Sequence, residues 1–171
     1  MNIREISSTL TTLLSELVDG APISGAYVLN RGDPGLLRSL DRLSAEAASE
    51  THAGGASIAA HVDHLRFGLS LMNRWARGEN PFADADWGMS WRRTRVDDDG
   101  WMRLRRELRD EARSWLDTLE HPRAVDELEM NGVIGSIVHL AYHIGAIRQI
   151  DRATRGPSNE ESVGAMEEGR A

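Results

Sequence analysis

The chain has 171 residues and a mass of 18.9 kDa, with 40% hydrophobic and 27% charged residues, which excludes wholesale disorder and a fibrous fold. Its net charge of −7, from 27 acidic and 20 basic residues, has the wrong sign for a nonspecific binder of phosphate backbone. All 20 basic residues are Arg, and Cys is absent, so disulfides, thiolate metal sites and a cysteine nucleophile are excluded.

The N-terminal MNIREISSTL lacks a basic stretch followed by an apolar one. No segment approaches the roughly 18 uninterrupted apolar residues of a membrane span. The expectation is a cytoplasmic, soluble protein without a membrane partner.

Apolar Ile3, Ile6, Leu10, Leu13, Leu14, Leu17 and Val18 recur at helical spacing and predict a first amphipathic helix, ended by Gly20 and Pro22. After a turn-rich stretch, Asp33 and Pro34 read as an N-cap and first helical residue of a short helix through Leu36, Leu37, Leu40 and Leu43. HAGG at 52–55 breaks the chain. Ser57 then caps a long helix through Ile58, Val62, Leu65, Leu69 and Met72 to about Arg77.

From 79 to 100, a proline, two tryptophans and an acidic run predict a long, partly structured connection, with Asp98 or Asp99 as N-cap of the next helix. Trp101, Leu104, Leu108, Ala112, Trp115 and Leu119 share one face of that helix, closed by Pro122. A last long helix from about Gly132 to Thr154 is apolar on nearly all sides and is expected to be the most buried. The acidic segment 156–171 is expected to be a disordered tail beyond a domain of residues 1–155. No repeat and no strand-like alternation appears, so the predicted fold is an all-α four-helix bundle whose long segments at 20–33 and 79–100 allow crossover connections.

His139 and His143, four residues apart in HLAYHIGAIRQI, stack on one helix face with Cβ atoms about 5–6 Å apart, a spacing at which two imidazoles can share a metal. Burying them in an apolar helix is costly unless each nitrogen finds a partner, and a divalent cation partners both. A third imidazole is available from His61 or His64 in HVDHLRFGL, and periodicity places His61 nearer the centre of the apolar stripe. Three imidazoles without thiolate leave coordination positions open, as in catalytic rather than structural zinc sites.

These residues resemble the DinB/YfiT-like metalloenzyme family, over most of 35–155. The likeness lies in SIAAHVDHL at 57–65, DWGMSW at 86–91, a helix beginning near Trp101, and GVIGSIVHLAYHIGAIRQI at 132–150, where His-x-x-x-His-x-Gly matches the C-terminal signature. The resemblance implies a four-helix bundle with crossover connections, often a homodimer, holding zinc, nickel or another divalent metal ion on His64, His139 and His143. It thereby selects His64 against the periodicity argument, and leaves His61 as a neighbour of a ligand or an acid/base group. It also implies a small-molecule substrate and a thiol-dependent S-transferase using a low-molecular-weight thiol cosubstrate. The alternatives are a hydrolase and a noncatalytic, stress-associated metal- or ligand-binding protein.

Among neighbouring residues, Gly145 is expected to permit close helix packing, and Tyr142 to be core. Trp87 and Trp91 are expected to pack, as a pocket wall or over the bundle end, and Arg148 to pair with an acid. The Arg-rich WRRTRV and WMRLRRELR segments alternate with acids and fit a solvated face better than a nucleic-acid surface.

Overall fold

The computed structural model describes residues 2–51 and 54–158, and the described residues contain helices and no strands. The fold is therefore all-α. Four long helices, α1 (Ile3–Asp19), α4 (Ile58–Ala76), α5 (Asp98–Glu120) and α6 (Glu127–Ile150), surround one core, joined by the short α2 (Gly35–Leu40) and α3 (Ala45–Ser49). The predicted second helix is two pieces, because Ser44 accepts from the Ala47 N–H and starts a new cap just after Leu43.

Helix starts follow their caps. Asn2 and Glu5 form a reciprocal capping box on α1, and the Ser57 hydroxyl accepts from the Ala60 N–H at the start of α4. Helix α5 is capped by Asp97, not by Asp98 or Asp99, which lie in its first turn where a carboxylate favours the positive end of the helix dipole. Helix α6 begins at Glu127, five residues before Gly132, because Asp126 and Glu129 close a second capping box; it ends at Ile150, and Arg152–Thr154 form a separate 3-10 turn. Asp33 also misses its expected place by one residue: α2 starts at Gly35, whose N–H donates to Asp33 Oδ1 at 2.8 Å.

The core is built from Leu14, Leu17 and Val18 of α1, Leu104, Leu108, Ala112 and Trp115 of α5, and the inner faces of α4 and α6. Such packing supplies most of the stability of helices that would be marginal alone. The most buried long helix is α4, not α6. One stripe of α6 faces outward, with Val138 61% and Tyr142 70% exposed, since a hydropathy that is high on every face does not say which face the core covers. Tyr142 is thus not core. Gly145 does not serve close packing either, because a Cβ there would meet nothing within 4 Å.

Polar devices hold the 20–33 connection. The buried Glu16 carboxylate accepts from three successive backbone N–H groups, those of Tyr27, Val28 and Leu29, at 2.9, 2.7 and 2.6 Å. Gly20 and Gly35 cross at positive φ (108° and 73°), where a Cβ on Gly20 would lie 2.2 Å from the Asp33 carbonyl oxygen. Asp33, 1% exposed, is bound by Arg148 Nη2 at 2.7 Å, the acidic partner expected for that arginine. Gly156 and Pro157, at the end of the described chain, pack onto this connection: Asn30 Nδ2 donates to the Pro157 carbonyl at 2.8 Å. Most of the expected tail, 159–171, and His52 and Ala53 of the HAGG break lie outside the described residues.

Candidate metal centre

Helix α4 carries His61 and His64 in its first two turns, and α6 carries His139 and His143 at its middle, so the packing of these helices brings four imidazoles together. His139 Nε2 lies 3.1 Å from His64 Nε2 and 2.7 Å from His143 Nε2. His64, His139 and His143 each offer one ring nitrogen to a common point, all within 4.8 Å of one another. His61 stands differently: its Nδ1 is 2.9 Å from Nδ1 of His143, on the ring edge away from that point. Both candidates for the third imidazole are buried, so burial does not separate them; the direction of the ring nitrogens does.

The 3-10 turn Met89–Trp91 closes over the histidines. Asp86 starts it by accepting from the Met89 N–H at 3.1 Å, and the Ser57 hydroxyl that caps α4 also donates to the Thr94 carbonyl at 2.7 Å, tying the connection to the helix. Trp91 stacks on His64, with ring centroids 4.2 Å apart and planes inclined by 24°, and Trp87 lies 5.6 Å from the same ring. The tryptophans therefore pack, and what they pack against is the histidine cluster.

Ser90, buried in that turn, fixes the tautomer of His64. Its hydroxyl donates to the Trp87 carbonyl at 2.7 Å, so at 2.8 Å it accepts from His64 Nδ1–H, leaving the His64 Nε2 lone pair directed into the cluster. A second atom supporting the ring of a metal-binding histidine is a recurrent part of such sites. Ser90 was not singled out by the sequence, because a serine inside DWGMSW carries no spacing signal.

The electrostatics favour neutral rings. Burial pushes His64 down to about 4, with repulsion from His139 and His61 adding to it and Asp63 opposing it. Burial, followed by the neighbouring histidines, pushes His143 down to about 3, and burial alone lowers His61 and His139. Neutral imidazoles keep the lone pairs that a cation needs.

The donor set fits a divalent ion. Nitrogen ligands at about 2.05 Å in tetrahedral geometry lie roughly 3.3 Å apart; the 3.1 Å between His64 and His139 is close to this, and the His139–His143 pair, at 2.7 Å, would separate slightly on coordination. Three imidazoles fill three positions and leave at least one open. The same group suits zinc, nickel, cobalt or iron.

Acid should weaken the metal-free protein. A histidine whose folded pKa is lowered lets the unfolded chain protonate first, so its contribution to stability is complete above about 6.5 and is lost as the pH falls toward 4 and then 3. After chelator treatment, the urea midpoint should be lower at about pH 5.5 than at about pH 7.5. The same difference should be smaller in a His64→Gln/His143→Gln variant; an equal difference would remove these rings as its source.

Comparison with family models, with curated proteins and with solved structures finds no match to this chain.

Proposed function

We propose that this chain is a divalent-metal-dependent enzyme with a DinB/YfiT-like four-helix-bundle topology, acting as a thiol-dependent S-transferase or in a related reaction on a small electrophile. The observation that carries the reading is the convergence of His64, His139 and His143, three ligands that would leave a divalent ion a coordination position open. A divalent ion there, zinc or nickel by preference, would supply a Lewis-acid centre that lowers the pKa of a coordinated thiol or water. The chain lacks Cys, so the thiol comes from a low-molecular-weight cosubstrate.

The protein's own residues orient and dry the site. Ser90 holds His64 in its Nδ1–H form, and Trp87 and Trp91 cover the ring. When His143 ligates through Nε2, its Nδ1–H donates to His61 Nδ1, which makes His61 a positioning residue for His143. An acid/base role for His61 requires its other nitrogen to reach the substrate.

We read the substrate as a small molecule and the protein as cytoplasmic, with neither nucleic acid nor membrane as partner; the net charge of −7 argues against the nucleic acid. By length and hydropathy α6 would suffice to cross a membrane, yet Val133, Ile137, Leu140, Ile144 and Ile147 pack into the core. Its outward stripe of Leu128, Ile134, Val138 and Tyr142 supports a homodimer formed through this helix. Sedimentation should give twice the chain mass for the native protein and the chain mass for Val138→Asp. A native monomer at tens of micromolar would exclude the dimer.

The test of the chemistry uses cobalt-loaded protein titrated with a small thiol such as 2-mercaptoethanol. Thiolate-to-cobalt charge-transfer absorption is expected in the native protein and not in His139→Ala. Cobalt-loaded protein that shows no such absorption with any small thiol would overturn the S-transferase reading in favour of a hydrolytic or noncatalytic centre.

A further inference from the structure

Beside the histidine cluster, α4, α6 and the connection before α5 line a pocket of about 200 Å³, partly open to solvent, that His139 borders. Its walls are Leu65, Leu69, Met72, Phe82, Trp87 and Leu140, and no residue lining it carries a formal charge apart from what His139 can acquire. Besides the Trp87 indole N–H, the other polar lining side chain is Ser136, whose hydroxyl is already engaged: it donates to the Val133 carbonyl at 2.7 Å and accepts from Trp115 Nε1–H at 3.0 Å. Trp87 forms a wall of this cavity and also packs against His64, so cavity and cluster share a boundary on two sides, at Trp87 and at His139.

We infer that the cavity receives an uncharged, ring-sized apolar group of the ligand whose donor atom binds at the three-histidine centre; this rests on the metal reading proposed above. Size and polarity both select such a group. An engineered apolar cavity of about 150 Å³ admits benzene, so 200 Å³ holds a ring with a short substituent. A carboxylate, sulfonate or ammonium placed there would give up part of its water against walls with no formal charge, whereas an aryl group exchanges water for contact with Trp87, Phe82 and aliphatic side chains.

Gly135 offers a way to fill the cavity without disturbing the core. It lines the space, and a Cβ added there would meet nothing within 4 Å. In mid-helix a larger residue also favours the helical backbone over glycine.

The first arm uses chelator-treated protein and fluorobenzene, observed by fluorine NMR, with the Met72 methyl resonance reporting location. Saturable binding that shifts Met72 is expected, and Gly135→Leu should weaken it at least tenfold while keeping the native unfolding midpoint. No binding, or binding that leaves Met72 unmoved, overturns the inference even if the variant fails to fold. The second arm compares benzyl mercaptan with 2-mercaptoethanesulfonate on cobalt-loaded protein. At least tenfold tighter binding of the benzyl compound is expected. Equal affinities overturn the inference while leaving the metal centre standing, and failure of the protein to take up cobalt overturns the link between the cavity and a metal whatever the first arm shows.

Discussion

Replacing His143 by Ala is expected to lower zinc affinity by more than 100-fold, with the chain still folded. Three imidazoles define the proposed centre, and loss of one leaves two ligands and a buried void where a ring 2% exposed had been. The scale comes from comparison with Ser90→Ala, which removes only the support of His64 and should cost about 10- to 100-fold. The same titration decides between the two α4 histidines. His64→Ala should behave like His143→Ala, whereas His61→Ala should keep one zinc per chain, because His61 meets His143 through Nδ1 rather than facing the shared point. Zinc binding that survives His64→Ala and disappears in His61→Ala would reverse the assignment.

The second large effect concerns the fold. Asp33→Ala should destabilise the protein by about 3 kcal/mol, because removing one partner of a buried ion pair leaves the other uncompensated. Arg148, whose side chain is 17% exposed, would lose its carboxylate, and the Gly35 N–H would lose its acceptor in the same step. Replacing both charges should cost less than replacing Asp33 alone: Asp33→Ala/Arg148→Met is expected to recover part of the loss, as a double-mutant cycle in urea would show. A cost below about 1 kcal/mol for Asp33→Ala would mean that the pair does not fasten the 20–33 connection to α6.

Both sites show what the sequence carried and what it did not. Periodicity placed α1 and α5 because each has one apolar stripe and one polar face, so the pattern marks the side that the core covers; it also placed α4, although there His61, Asp63, His64 and Asn73 are buried along with the stripe. It failed for α6, whose apolar residues surround the helix: Ile137 and Ile144 lie in the core while Val138 and Tyr142 face out, and nothing in the sequence separates them. The start of α6 was legible only as a cap, since residues 127–131 are largely polar and lack the apolar rhythm.

In the centre, the i, i+4 pair His139 and His143 was visible from spacing alone. The third imidazole was not, because His61 and His64 are both buried and the choice depends on which ring nitrogens meet across two helices. The resemblance pointed to His64, and the geometry places His64 in the converging group. Ser90 and Glu16 were silent for a related reason. Each acts on a segment distant in sequence, Ser90 on His64 of α4 and Glu16 on the backbone of 27–29, and no local pattern encodes such a bond.

Whether His64, His139 and His143 form a metal centre is decided by elemental analysis of untagged protein purified without a metal-affinity column, beside His139→Ala prepared in the same way. Close to one zinc or nickel per chain is expected in the native protein and none in the variant. Native protein that holds no metal, and takes up none of zinc, nickel, cobalt or manganese on incubation, would contradict the assignment.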